Sequence, residues 1–420
     1  MPENRVRMMQ TDNTQHGRLQ INVTSSLGLI PIQDATISIS YTGVPDVTIE
    51  RITTDSSGQS ETIDLPAPPL EYSVEPTDNM PYSEYNIRVE APGYETVNIS
   101  GTEILPDVTA LQPITMTPLA GAEEPSETIV IPDHTLYGEY PPKIPEAEIK
   151  PMDESGEIVL SRVVIPEFIV VHDGVPQDST AQNYYVRYRD YIKNVVSSEV
   201  YATWDENAIY ANTLAIMSVT LNRVYTEWYR NQGFNFTITS STAYDQKWIY
   251  GRNIYANVGR IVDTIFANYL ARPGVRQPIF TSYCDGQRVT CDGLSQWGSQ
   301  YLANEGYTPI EIIRYYYGSD IYINTAESVS GVPSSWPGYN LNLGASGDKV
   351  RQIQQQLNRI ARNYPAIPTI SADGIYGPAT QEAVRVFQGI FNLPQSGIVD
   401  YPTWYSISNI YVGVTRIAEP

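Results

Sequence analysis

Two short stretches decide the fold of the C-terminal part: LGASGDKV at residues 343–350 and DGIYG at residues 373–377. Both combine Gly with Asp or Ser, which is the chemistry of tight turns. Apolar residues at helical spacing accompany them, and we expect helices over 347–362 and 378–391. The sequence therefore predicts a small helical unit over residues 341–411, after a Pro-, Ser- and Gly-rich linker at 330–340.

This ordered set of motifs resembles the three-helix peptidoglycan-binding domain found on many bacterial wall-lytic enzymes. The resemblance implies a wall-binding module, with contacts at the loop that contains Asp373, Gly374, Tyr376 and Gly377. Taken one at a time, these residues are also explained by turn geometry and core packing. The inference of a wall-binding module therefore rests on the order in which these motifs follow one another along the chain.

Three further blocks lie in the middle of the chain. The first is YIKNVVSSE at 191–199, followed by WDENA at 204–208. The second is YDQ at 244–246, and the third is GLSQWG at 293–298. Thr203 and Glu206 form a capping-box pattern, so we expect a long helix over 204–230.

These blocks resemble the stage II sporulation protein D family of peptidoglycan lytic transglycosylases, which implies that Glu199 is the catalytic acid and then the base. Such an enzyme protonates the glycosidic oxygen and then removes the proton of the muramic acid 6-hydroxyl, which closes a 1,6-anhydro ring. One carboxyl group suffices because no water is activated, unlike in ordinary glycosidases. Apolar neighbours would raise its pKa as this role requires. The alternative is an exposed Glu199 at a helix end.

The same resemblance implies residues that position the glycan by stacking and hydrogen bonding. The predicted substrate-binding residues are Tyr201, Trp204, Tyr244, Asp245, Gln246, Ser295, Gln296 and Trp297. For each of them, a purely structural role is the alternative.

Two cysteines, Cys284 and Cys291, lie just before the third block. Many members of the family have a Gly-His-Gly-like run there, whereas this chain has TCDGL at 290–294. Structural zinc sites use four ligands, and the chain has only 3 His. We expect a disulfide or thiol pair, with zinc or two unrelated thiols as the alternatives, and we predict no metal site and no cofactor.

The N-terminal part has the pattern of strands. Apolar and polar residues alternate within 18–118, as at Leu19, Ile21 and Val23. The runs PIQDA at 31–35, TDSSG at 54–58 and APGY at 91–94 resemble carboxypeptidase regulatory-like (transthyretin-like) modules, which implies an all-β sandwich over 1–118. The predicted fold class is thus multidomain: this sandwich, a Pro- and Glu-rich linker at 119–162, a mixed α+β domain at 163–329, and the C-terminal helical unit.

Charge is concentrated at the N-terminus. Residues 1–160 contain 26 acidic and 7 basic residues, a net charge of −19, whereas the whole chain has −21. So acidic a chain is not expected to bind nucleic acid. No apolar run reaches membrane-spanning length, and residues 1–17 have no apolar segment typical of a secretory signal.

The order of these parts, with IPDHTLYGEYPPKIP at 131–145, resembles clostridial spore cortex-lytic enzymes of the SleC type. The resemblance implies a zymogen stored in the cortex or coat region of the spore, with cortex peptidoglycan and an activating germination protease as partners. We expect a cut within 119–162. Two other classes stay open: a non-catalytic peptidoglycan-binding or adhesion protein, and a phage or secreted autolysin.

Overall fold

The computed structural model describes residues 15–121, 125–150 and 162–415. Both helices and several sheets are present, so the chain is a mixed α/β protein. Within the described ranges, no helix is long and apolar enough to cross a membrane.

Strands dominate the N-terminal part. The elements are β1 (Gln15–Ser25), β2 (Ile30–Pro31), β3 (Thr36–Tyr41), β4 (Thr48–Thr53), β5 (Ile63–Ala67), α1 (Glu71–Val74), β6 (Ser83–Glu90), β7 (Thr96–Ile104), β8 (Thr109–Met116) and β9 (Ser126–Val130). In β1, Leu19, Ile21 and Val23 are fully buried and alternate with partly exposed residues. This period of two places one side of the strand in the core.

Two five-stranded sheets result. In the first, β1 pairs with parallel β8 on one side and with antiparallel β2 and β5 on the other. The second has the order β4-β3-β6-β7-β9. The transthyretin-like sandwich stays a prediction. β9 lies within the stretch predicted as a linker, where it pairs in parallel with β7, so sheet pairing extends beyond residue 118.

The central part consists of short strands around several helices. Its elements are β10 (Val164–Ile165), β11 (Phe168–His172), β12 (Asn183–Arg187), α2 (Tyr188–Glu199), α3 (Glu206–Tyr225), a 3-10 helix (Arg230–Gln232), β13 (Ile238–Thr239), β14 (Ile254–Tyr255), α4 (Ala256–Ile265), β15 (Asn268–Ala271), β16 (Tyr283–Cys284), β17 (Leu294–Ser295), α5 (Gln296–Asn304), α6 (Pro309–Tyr317), β18 (Tyr322–Thr325) and β19 (Ser328–Val329).

The helix α3 is almost entirely buried, which fits its many small and aliphatic residues. Asp205 caps it, since the Asp205 carboxylate accepts the Asn207 N–H at 2.8 Å. The predicted capping box at Thr203 is therefore wrong: the Thr203 hydroxyl donates to the Ser73 hydroxyl at 2.8 Å. The helix also ends at Tyr225, short of residue 230.

The N-terminal and central parts share a sheet, because β14 pairs antiparallel with β8. Next to this pairing, Arg252 forms a buried ion pair with Glu103, and Arg252 Nη2 donates to the Ser197 carbonyl at 3.0 Å. The predicted boundary between these parts is thus crossed by backbone pairing and by a buried charge pair. The domain limits themselves stay predictions.

The C-terminal part contains α7 (Asp348–Ala361), α8 (Pro378–Ile390) and α9 (Tyr401–Thr415). Their core includes Val350, Phe387 and the fully buried Trp404. Trp404 also donates to the Ser334 carbonyl at 3.2 Å, which ties the predicted linker at 330–340 to the helices. The predicted helical unit with three helices is confirmed.

Candidate functional site

The C-terminal end of α2 places Glu199 in the interior. The helix buries Tyr191, Val195 and Val196 on its core side, and the backbone becomes extended at Val200. Glu199 itself is 0% exposed. The alternative of an exposed helix-end glutamate is therefore wrong for this conformation.

Two neighbours hold the Glu199 carboxyl group in place. The Lys247 backbone N–H donates to Oε1 at 2.6 Å, and Gln296 Nε2 donates to Oε2 at 3.3 Å. Burial raises the pKa of Glu199, against the opposing effects of the Lys143 ammonium and the Tyr283 hydroxyl. A buried carboxyl group with a raised pKa is suited to act as a general acid and then as a base.

Asp245 and Gln246 of the YDQ block do not bond Glu199 themselves, but they hold the backbone next to Lys247, whose N–H does. Asp245 is buried, and its carboxylate accepts from Arg223 Nε at 2.6 Å and the Tyr229 hydroxyl at 2.7 Å. Gln246 is also buried and donates from Nε2 to the Ile216 carbonyl at 2.8 Å. These bonds fix the turn that presents the Lys247 N–H.

Two other predicted residues of these blocks bond to helical residues and not to Glu199. Tyr244 lies at the edge of the site, and its carbonyl accepts from Arg223 Nη2 at 3.2 Å. Ser295 caps α5 by accepting the Gly298 N–H at 2.9 Å. Among the predicted substrate-binding side chains in these two blocks, Gln296 is the one that bonds Glu199 directly.

Three predicted aromatic residues form a buried cluster. The ring centroids of Trp204 and Trp297 are 4.9 Å apart, and Tyr201 lies 6.0 Å from Trp297. His134 packs on Tyr201 at 4.5 Å. Trp204 Nε1 donates to the Ser73 carbonyl at 2.8 Å. In this conformation the rings are covered by N-terminal residues.

A segment that we call the strap, residues 131–150, runs across the site. Lys143 Nζ donates to the Asp245 carbonyl and lies 4.5 Å from the centre of the Tyr283 ring. Burial lowers the pKa of Lys143, and the charge of Glu199 partly opposes this shift. Tyr140, also in the strap, is buried, and the negative charge of Glu199 adds to the burial that raises its pKa.

Sequence reasoning did not identify Lys143 or Tyr140 as site residues. Their signal was present but weak: one Lys and one Tyr in a run rich in Pro, YPPKIP at 140–145. Such a run predicts an extended backbone, and it does not reveal which surface the backbone follows.

The two cysteines form a disulfide, with a Cα–Cα distance of 6.1 Å. Arg288, in the loop that they close, donates from Nη2 to the Thr135 carbonyl of the strap at 2.6 Å. In the described part of the chain, no group of three or more His, Cys, Asp or Glu residues could hold a metal ion.

The predicted wall-binding loop is held by a bond within it and by bonds to residues outside it. Asp373 Oδ1 accepts the Ile375 N–H at 2.8 Å, and Gly374 has a φ of +81°, which favours glycine. Tyr376 is buried and donates to the Gly397 carbonyl at 3.0 Å. Gly377 directly precedes α8. Ile375, which we did not predict, is 59% exposed at the centre of this loop.

The family comparison identifies the C-terminal unit. Residues 346–407 match the family model described as "Putative peptidoglycan binding domain". This match, together with the three-helix fold, makes the chain a cell-wall-binding protein with peptidoglycan as a partner. No curated protein matches the chain.

Solved structures also resemble parts of the chain. The SleB N-terminal domain is 28% identical over 18% of this chain and 99% of that chain, with a TM-score of 0.16. The Bacillus anthracis TIE protein is 14% identical over 25% of this chain and 17% of that chain, with a TM-score of 0.18. GBS52, the minor pilin of Streptococcus agalactiae, is 14% identical over 27% and 49%, with a TM-score of 0.19. These TM-scores are too low to carry an argument.

Proposed function

We propose that the chain is a spore cortex peptidoglycan lytic transglycosylase that is stored as a zymogen. The observation that carries the proposal is the buried Glu199 with its raised pKa, held by the Lys247 N–H and by Gln296. The peptidoglycan-binding domain at residues 346–407 supports the proposal that peptidoglycan is the substrate.

In the proposed reaction, neutral Glu199 gives its proton to the oxygen between N-acetylmuramic acid and N-acetylglucosamine as the glycosidic bond breaks. The resulting carboxylate then takes the proton of the muramic acid 6-hydroxyl, whose oxygen closes the 1,6-anhydro ring. Glu199 is thereby returned to its neutral form. No water, metal or cofactor takes part in this scheme.

The other predicted residues have two proposed roles. Asp245 and Gln246 position Glu199 through the Lys247 N–H, and Gln296 holds the second carboxyl oxygen. The aromatic and polar residues that would touch the glycan are Tyr201, Trp204, Tyr244, Ser295 and Trp297. Since the rings of Tyr201, Trp204 and Trp297 are buried in the intact chain, glycan access requires that their cover moves.

The zymogen proposal rests on the strap. Lys143 and Tyr140 occupy the space next to Glu199, and backbone bonds fix the strap on both sides of them, as from Ile144 N–H to the Ala243 carbonyl at 2.8 Å. A germination protease that cuts the chain after the strap would allow it to leave. Residues 151–161, the last part of the predicted cleavage stretch, lie outside the described residues.

Product analysis tests the proposed reaction. Cortex peptidoglycan is incubated with the intact chain and with the chain cut after the strap, within residues 151–162, and the soluble products are analysed by mass spectrometry. We expect 1,6-anhydro-muramic ends from the cut chain and few from the intact chain. Reducing ends would identify a hydrolase instead. Release of no fragments would favour the second candidate, a non-catalytic wall-binding protein, which the family match alone supports.

A further inference from the structure

Two carboxylates of the strap are held by two arginines of the central part. Glu146 Oε1 and Oε2 accept from Arg223 Nη2 and Nη1 at 2.6 and 2.9 Å. Glu148 Oε1 and Oε2 accept from Arg272 Nε and Nη2 at 2.5 and 2.8 Å. Both contacts are bidentate, which is the geometry in which Arg recognises a carboxylate most specifically.

Each guanidinium group is fixed by residues outside the strap. Arg223 Nε donates to Asp245 at 2.6 Å, and its guanidinium lies 4.6 Å from the centre of the Phe280 ring. Arg272 donates from Nη1 to Asp320 and from Nη2 to the Tyr317 carbonyl at 2.7 Å. These contacts do not depend on the strap, so both arginines stay oriented when it leaves.

The strap therefore occupies a preformed site for two carboxylates. Residues 146 and 148 are two positions apart, so their backbone positions are separated by at most about 7 Å. The ligand that replaces the strap must offer carboxylates at a similar spacing. Peptidoglycan carries such groups on its lactyl and peptide substituents.

We propose that Arg223 and Arg272 form a substrate subsite that binds carboxylates of peptidoglycan once the strap has left, and that Glu146 and Glu148 imitate them in the intact chain. The inference rests on the proposed function, because it assumes that the substrate enters this groove. It adds the requirement that the substrate be anionic there. In the opposing explanation, the two arginines serve only to hold the strap.

The test uses the full chain with a protease site introduced within residues 151–161 and cut, in a Glu199→Gln background so that the ligand is not consumed. Calorimetry measures the Kd of a soluble peptidoglycan fragment with free carboxylates and of the same fragment with its carboxylates amidated. We expect amidation to raise the Kd about tenfold or more, as for a lost charged hydrogen bond. This effect should be smaller in Arg272→Gln, in which only Arg223 remains, and should persist in full in the control Arg88→Gln, whose arginine is exposed and paired with Glu90. An effect of equal size in both variants would overturn the subsite.

Comparison of Arg272→Gln with the control separates this subsite from the C-terminal domain, which also binds the fragment. Arg272→Lys keeps the charge but loses the bidentate geometry, and it should give an intermediate Kd for the free carboxylates. Equal Kd values for both fragments in the Arg88→Gln chain, or no binding of either, would overturn the subsite. If carboxylate-dependent binding is found but the chain with Glu199 forms no anhydro products, the proposed reaction fails and the subsite stands.

Discussion

Glu146→Gln is the substitution that we expect to loosen the strap most. In the intact chain this carboxylate accepts two bonds from Arg223 and pairs with Lys150, and both cations are buried. Removal of one partner of a buried ion pair costs about 3–5 kcal/mol, because the remaining charge stays buried without compensation. Arg223 keeps Asp245 as a partner, so we take the lower value, about 3 kcal/mol.

Local opening of the strap should become more frequent by the corresponding factor. Since 1.4 kcal/mol is a factor of ten, about 3 kcal/mol is roughly a hundredfold. Amide hydrogen exchange measures such opening directly. The reporters are the Ile144 N–H, bonded to the Ala243 carbonyl at 2.8 Å, and the Lys150 N–H, bonded to Gln277 Oε1 at 3.0 Å.

We expect both amides to exchange roughly a hundredfold faster in Glu146→Gln. The matched control is Glu382→Gln, which removes a carboxylate from an exposed pair with Arg385 on α8. That variant should leave exchange in the strap unchanged, because exposed pairs contribute little. Unchanged exchange in Glu146→Gln as well would refute the reasoning that the Glu146 contacts hold the strap.

Three further predictions concern pH, stability and wall binding. In the intact chain burial raises the pKa of Glu199, so an NMR titration of its carboxyl group should give a pKa above the usual 4.5; a pKa at or below 4.5 would contradict this. Glu103→Gln leaves buried Arg252 without its carboxylate and should lower the free energy of unfolding by about 3–5 kcal/mol. In denaturant titrations the exposed-pair variant Glu90→Gln should lose less than about 1 kcal/mol, and equal losses would count against the estimate. Ile375→Ser removes the exposed apolar side chain of the predicted wall-binding loop, so it should weaken pelleting with peptidoglycan about tenfold at an unchanged Tm. Full retention of pelleting would exclude a contact between Ile375 and peptidoglycan.

The local patterns were the part of the fold that sequence could predict. Period-two alternation in β1 and helical spacing in α7 and α8 describe a single element and its buried side, and both are found. Pairing of distant elements has no such local signal. β14 is only two residues long, and nothing in Ile254–Tyr255 indicates that it pairs with β8. The same holds for the ion pair between Glu103 and Arg252.

At the candidate site, the motif around Glu199 allowed this residue to be predicted as catalytic from the sequence. The structure adds that Glu199 is buried and that its pKa is raised. The sequence could not show whether Asp245 and Gln246 contact the glycan or have a structural role. The answer depends on whether hydrogen bonds within the protein already use their polar groups, and the partners in those bonds come from several elements. Lys143 was missed for a related reason. Its importance comes from the path of an extended segment, which only the tertiary structure defines.

The central claim is that one buried carboxyl group performs the chemistry. The most direct measurement compares the cut chain with its Glu199→Gln variant on cortex peptidoglycan and counts 1,6-anhydro-muramic ends by mass spectrometry. Wall pelleting and Tm are recorded for both, so that a folding defect is recognised. The account predicts that the variant binds the wall like the parent and releases no anhydro ends. Anhydro ends released by the variant at the parent's rate would contradict it.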